Sequence, residues 1–157
     1  MKIDVLTLFP EAFDFISTYG VIGKALDKGL LEISYTNIRD FSKNKHKKVD
    51  DELFGGDAGM LMTMQPVIDA IDSVKRQDSI VIFLSPQGKV FNQKIANNLA
   101  THSHIILLCG HYEGIDSRVI ENYVDIEISI GDYVLTGGEI PAMVLIDSIG
   151  RLVDNVL

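Results

Sequence analysis

Three segments hold the residues best suited to ligand chemistry: "SPQG" at 85–88, "CGHYEG" at 109–114 and "SIGDYVLTGG" at 129–138. Each sets glycine, whose bare main chain leaves N–H and C=O groups open to a ligand, among small or apolar neighbours. Glycine-rich segments often hold phosphate, which needs cations and free backbone donors. The last two segments contain no lysine or arginine. Their charged groups are Glu113 and Asp132, with Glu139 just beyond, and His111 is ordinarily neutral. Phosphate there would meet repulsion. No G-x-G-x-x-G follows the first apolar run, where "LFPEAF" stands, and no Walker lysine occurs, although Lys89 follows the first segment.

A ligand with an aromatic base, a ribose and a positive charge suits these residue types better. Leu84, Ile130, Tyr133 and Leu135 can wall a purine, and main chain around the glycines can read its edge. Glu113 or Asp132 can favour a sulfonium or ammonium group, or bond sugar hydroxyls. S-adenosylmethionine has all those parts and no phosphate, and other phosphate-free nucleosides stay open on chemistry alone. The plainer alternative is that the glycines only punctuate loops. A flavodoxin-like or nucleotide-sensing domain is a further alternative, and it predicts an FMN or phosphate ligand.

Apolar, β-branched runs alternate with amphipathic segments along the chain. The pattern predicts strands at 3–9, 31–37, 79–85, 104–109 and 124–130. It predicts helices at 10–18, 21–28, 66–76, 92–101, 115–122 and 139–150, with Pro66 and Pro141 in first turns that tolerate proline. Strands separated by helices imply crossovers, and so a mostly parallel sheet with helices on both faces. The expected class is α/β. In such sheets ligands bind outside the carboxyl ends of the strands, where all three glycine segments fall.

The chain has 157 residues, enough for one domain with a core of its own, and 46% of them are hydrophobic. Neither a membrane-spanning run nor a secretory leader is legible, and the single cysteine, Cys109, rules out an internal disulfide framework. A cytoplasmic protein is expected. His46, His102, His104 and His111 form no metal pattern. The net charge of −8 argues against a general nucleic-acid coat. One stretch departs from that average. Residues 39–48, "RDFSKNKHKK", carry five of the fourteen basic residues, and the acidic "DDE" follows at once. They are either a solvated loop with offsetting charges or a local phosphate-contacting loop.

The same residues resemble the bacterial tRNA (guanine-N(1)-)-methyltransferases of the SPOUT class. The resemblance runs the length of the chain, through "LFPEAF", "GLLEISYTNIRDF", "VDDELFGGDAGMLM", "LSPQGKVFNQ", "LCGHYEGIDSRVIE" and "SIGDYVLTGGEIPAMVLIDSIGRL". It implies a SPOUT fold with a C-terminal trefoil knot, residues 1–157 forming the S-adenosylmethionine-binding domain. It also implies a homodimer with each active site at the interface, and this suits the apolar helix "IPAMVLIDSI". By the resemblance Leu84, Ser85, Pro86 and Gly88 form one wall of the donor site. Gly110, Tyr112, Glu113 and Gly114 form a second. Ser129, Ile130, Gly131, Asp132, Tyr133, Val134 and Leu135 close the third, with Gly137, Gly138 and Pro141.

The reaction implied is methyl transfer from S-adenosylmethionine to N1 of the guanine immediately 3′ of the anticodon. Arg151 and Glu113 are the catalytic candidates. An arginine fork suits the negative charge that builds on N1 and O6 as the N1 proton leaves. As a bare residue, Arg151 reads instead as a helix-end cation. Arg39, Lys43, Lys45, Lys47 and Lys48 are the candidates for contact with the tRNA backbone. The family often needs magnesium for activity, yet no carboxylate cluster marks a metal site. Two positions depart from its pattern: Asp57 and Ala58 stand in a turn that usually reads GGGPGM, and His111 stands where arginine is common. The sequence stops at "RLVDNVL", before the family's C-terminal tRNA-binding domain and the aspartate thought to be the general base. An S-adenosylmethionine-binding module, inactive alone, is therefore the alternative function.

Overall fold

The computed structural model describes residues 1–52, 59–111 and 113–157, the Glu52 side chain excepted. Asp57, Ala58 and Tyr112 lie outside the described residues. In chain order the elements are β1 (Lys2–Thr7), α1 (Asp14–Thr18), α2 (Gly20–Asp27), β2 (Glu32–Asn37), β3 (Asp50–Glu52) and β4 (Met60–Met62). There follow α3 (Met64–Val74), β5 (Ser79–Val90), α4 (Gln93–Leu99), β6 (His104–Cys109), α5 (Ser117–Tyr123), β7 (Ile126–Ser129) and α6 (Glu139–Gly150). Short 3-10 turns occupy Pro10–Phe13 and Ile38–Phe41.

Five strands form one sheet in the order β2-β1-β6-β5-β7, and every neighbouring pair is parallel. Parallel strands need crossovers, and those place helices on both faces. Alternation along each strand divides the core accordingly. Ile3, Val5, Ile105, Leu107, Ile82 and Leu84 pack on one face with α1, α2, α4 and α6. Leu6, Ile106, Leu108, Val81 and Phe83 face the other way, against α3 and α5. This is the α/β architecture that the alternating pattern predicts.

Several boundaries differ from the pattern, each for a local reason. β1 ends at Thr7 rather than residue 9, where the Phe9 N–H donates to the Thr7 hydroxyl at 3.0 Å and turns the chain. The helix expected over 10–18 is a 3-10 turn followed by α1. β7 covers only 126–129, because the Ser129 side chain bonds to Gly131 and ends the strand. β5 is longer than expected. Its ladder to β7 stops at Leu84 opposite Ile128 and resumes at Lys89 opposite the same Ile128, so 85–88 bulge out of the sheet. The antiparallel pair β3–β4 was not legible at all. Strands of three residues are too short for a period of two to stand out.

Candidate functional site

Because the sheet is parallel, Leu84, Cys109 and Ser129 bring their following segments to one edge. There a cavity of about 300 Å³ opens, at the small end of the range for small-molecule sites. Its walls come from the three glycine-bearing segments. From the first come Leu84, Ser85, Pro86 and also Gln87. From the second come Gly110, His111, Glu113 and Gly114. The third supplies Ser129, Ile130, Gly131, Tyr133, Val134, Leu135, Gly137 and Gly138, and Pro141 follows from α6. Phe83, Ile115, Ile120 and Ile128 line it from the core side.

The lining holds no lysine or arginine among the described residues; its charged or titratable groups are His111, Glu113 and Tyr133. The nearest cation along the second segment is Arg118, and it is committed elsewhere. Its Nη2 donates to Asp116 Oδ2 at 2.6 Å and its Nε to Oδ1 at 3.0 Å. That pairing, first through the Arg118 side-chain hydrogen bond, lowers the Asp116 carboxyl below its ordinary range. Asp116 also caps α5 through the Arg118 N–H at 3.0 Å.

Glycine is required at several points of the lining, Gly131 and Gly137 among them. Gly131 sits at φ +158°, and a Cβ there would collide with the Tyr133 ring. A Cβ at Gly137 would collide with the His111 ring and the Glu139 carboxylate. Tyr133 and Val134 are 53% and 83% exposed, so this apolar segment stands out over the cavity instead of packing into the core.

β4 supports the second segment from behind. The Glu113 N–H donates to the Met60 carbonyl at 2.9 Å, and the Met62 N–H to the Gly114 carbonyl at 3.0 Å. Met62 and Ile115 form a parallel bridge. At its far end, β4 continues into Thr63, whose N–H donates to the Val49 carbonyl at 2.8 Å. The short hairpin thus joins the basic loop to the cavity wall.

Not every expected residue reaches the cavity. Gly88 lies against the Glu127–Ile128 main chain, where the β5 bulge closes. Asp132 is outside the lining, and the carboxylate that lines it among the described residues is Glu113. Arg151 follows the opposite end of α6 from the cavity, about 18 Å along an axis of twelve residues. Lys43, Lys45, Lys47 and Lys48 are exposed in a loop braced by side chains. Arg39 Nη1 donates to the Lys47 carbonyl at 3.0 Å, and the Ser42 hydroxyl donates to the Lys48 carbonyl at 2.5 Å. Arg39, half-buried, thus braces that loop, and the lysines are its outward charges.

Glu139 was the residue that sequence reasoning missed. Although it opens α6, it is buried, and it bonds to Thr7 at 2.7 Å and to His111. The buried Cys109 thiol is pushed well above its ordinary range, first by burial and then by this carboxylate. A glutamate in a first helical turn is ordinarily read as exposed and dipole-favoured, so nothing local signalled this place. Among the described residues, no group of three or more His, Cys, Asp or Glu could hold a metal ion. No described helix is long and apolar enough to cross a membrane.

A family model described as tRNA (guanine-1)-methyltransferase TrmD matches residues 1–157. The chain is 59% identical, over 157 residues, to a tRNA (guanine-N(1)-)-methyltransferase of Finegoldia magna, covering all of this chain and 67% of that relative. It is 58% identical over 160 residues to the protein of the same name from Ruminiclostridium cellulolyticum, covering 69% of it. A third of that name, from Clostridium novyi, is 58% identical over 158 residues, with 65% of it covered. The chain spans about two thirds of the length of these relatives.

Proposed function

The chain belongs to the tRNA (guanine-1)-methyltransferase family, and we propose that its cavity binds S-adenosylmethionine for methyl transfer to N1 of the guanine 3′ of the anticodon. The observation that carries the reading is the cavity itself: apolar walls, open main chain and no lysine or arginine among the described residues at the carboxyl ends of β5, β6 and β7. Leu84, Ile130, Tyr133 and Leu135 offer apolar surface to an adenine. Ser85 and the glycine main chains offer hydrogen bonds. Glu113 supplies the negative charge that a sulfonium prefers over a phosphate.

When bound, the donor supplies a methyl group on a sulfonium, a good leaving group. Guanine N1 would give its proton to a general base or to water as it takes the methyl, and the sulfonium would depart as a neutral thioether. The protein's part is alignment, together with stabilisation of charge that grows on N1 and O6. Glu113, at the cavity mouth, orients the donor. The target base leaves its stack to reach the methyl.

Arg151 is the candidate for stabilising the growing charge, and its place at the far end of α6 gives that role a consequence. It serves the cavity of a second copy, not its own. A homodimer is consistent with the apolar surface near the site: Phe9 and Ile140 are 44% and 57% exposed, and Val144 continues the outer stripe of α6. The inner stripe of the same helix, Ala142, Leu145, Ile146 and Ile149, is core. The reading extends to the family's trefoil knot, in which the C-terminal part passes through a loop; the bridge between His111 and Gly137 is consistent with it. Magnesium has no candidate site among the described residues. The exposed lysines of 43–48 are the candidate tRNA contacts.

Calorimetric titration tests the reading. S-adenosylmethionine should bind, and FMN or pyrophosphate-bearing nucleotides should not; the reverse order would reject it. A tritiated-methyl transfer assay on tRNA then separates an active enzyme from a domain that binds the donor without turnover.

A further inference from the structure

Glu139 has no part in the donor site as described, yet it is 8% exposed and joins several elements. Its Oε2 accepts from the Thr7 hydroxyl at the end of β1, at 2.7 Å. Its Oε1 pairs with Nε2 of His111, in the segment that follows β6. The buried thiol of Cys109, the last residue of β6, is pushed up first by burial and then by this carboxylate. With both oxygens engaged and the N-terminus of α6 favouring its charge, the carboxylate has one place to sit. Beside the pair, the main chains of His111 and Gly137 form an antiparallel bridge.

His111 is thereby fixed as a partition. On one side it borders the donor cavity. On the other it borders an outer hollow of about 340 Å³, lined by Phe9, Ala12, Thr136, Gly137, Glu139 and Ile140. The Phe9 ring leans on the imidazole from that side, with centroids 5.0 Å apart and planes tilted by 57°. His111, Thr136 and Gly137 are common to both spaces. Among the described residues, the wall between them is therefore two loops joined by this side-chain pair and a main-chain bridge.

We propose that Glu139 and His111 are positioning residues for donor binding: their pair latches 109–114 to 136–138 and keeps the donor cavity closed off from the outer hollow. The proposal rests on the reading of the cavity as the donor site. The pair touches no reacting atom, so it acts on how tightly the donor is held and not on the chemical step. A hydrogen bond to a charged group is worth roughly ten- to hundredfold in an equilibrium. The lower figure applies here, because the His111–Gly137 bridge remains when the side chains are changed.

The test compares wild type with Glu139→Gln, His111→Gln and His111→Arg. S-adenosylmethionine affinity is read by calorimetry on this chain, and kcat and donor KM by methyl transfer with the protein at its natural length. Both glutamine variants should weaken donor binding about tenfold and raise the donor KM to match, with kcat at saturating donor within about twofold. His111→Arg, which places N–H donors opposite Glu139, should recover affinity to within about threefold. A fall in kcat with donor KM unchanged, or unaltered affinity in both glutamine variants, overturns the latch. If Glu139→Gln fails to fold, His111→Gln decides, because its side chain lies at the cavity wall and not in the core. Failure of the wild type to bind S-adenosylmethionine would instead sink the donor-site reading.

Discussion

The Ser129 hydroxyl donates to the Gly131 carbonyl at 2.9 Å and accepts from the Gly131 N–H at 3.1 Å. One side chain thus closes a tight turn where β7 ends, and the turn holds Gly131 at φ +158° with the Tyr133 ring above it. Gly131→Val adds bulk that meets this ring in a backbone conformation that a β-branched residue rarely adopts. The expected result is the loss of calorimetric heat on adding S-adenosylmethionine, with the far-UV spectrum retained. Unchanged donor affinity would remove this turn from the site.

Arg151 and the cavity lie at opposite ends of α6. In the natural-length protein, Arg151→Ala should lower methyl transfer by about 10²–10³, comparable to losing one donor aimed at developing charge. Donor affinity should be retained. Mixing separates action within a subunit from action across subunits. An Arg151→Ala chain and a Gly131→Val chain are each impaired, yet a mixed dimer has one whole site if Arg151 serves its partner. Activity that stays absent in the mixture would confine Arg151 to its own chain.

Cys109 is fully buried beside Glu139, and both burial and the carboxylate raise its thiol above the ordinary range. Tyr35 is raised too, first by burial. For an acid whose folded pKa is raised, the unfolded chain loses its proton first. The contribution to stability is present below the unfolded value and is lost as pH rises above it. Urea midpoints should therefore fall above about pH 8.5, where an unfolded thiol titrates. Iodoacetamide should leave the native chain unmodified at about pH 8, near the ordinary thiol range, and alkylate it once it is unfolded. Rapid labelling of the native chain would contradict the burial.

At the amino-terminal ends of the central strands, away from the cavity, His104 Nε2 meets Asp4 Oδ2 at 2.7 Å and Nδ1 meets the Ser79 hydroxyl at 2.5 Å. Both ring nitrogens are occupied and the imidazole is wholly buried. His104→Ala strands the Asp4 carboxylate inside the protein, which should cost about 3–5 kcal/mol. Asp4→Asn, which keeps a hydrogen-bond acceptor, should cost less. A loss under about 1 kcal/mol for His104→Ala, read by urea unfolding, would show that water reaches the carboxylate.

The architecture was legible because strands such as 104–109 are buried on both sides and read as unbroken apolar runs. The three cavity walls were legible for a different reason: glycine without cations is a compositional signal that survives without coordinates. Contacts between distant elements left no such trace. Glu139 looks like any first-turn acid until Thr7 and His111 are seen beside it. The β3–β4 pair is too short for its pattern to register, although it carries the Glu113 backbone. Arg39 shows the same from the other side: its charge suggested RNA, and only the fold reveals that its Nη1 also braces the Lys47 carbonyl.

That bracing sets the expectation for the basic loop. Lys43, Lys45, Lys47 and Lys48 point outward from a stretch held by Arg39, Ser42 and Asn44. Each lysine on a phosphate releases counterions, so the logarithm of affinity falls with the logarithm of salt in proportion to the number of phosphates neutralised. Changing the four lysines to glutamine in the natural-length protein should flatten that slope by about 0.7–0.9 for every phosphate left without its lysine. Donor affinity should not move, because none of the four lines the cavity. Arg39→Gln should act differently, lowering affinity by loosening the loop while leaving most of the slope in place. A slope unchanged by the lysine substitutions would return the loop to a solvated surface whose charges are offset by Asp50 and its neighbours.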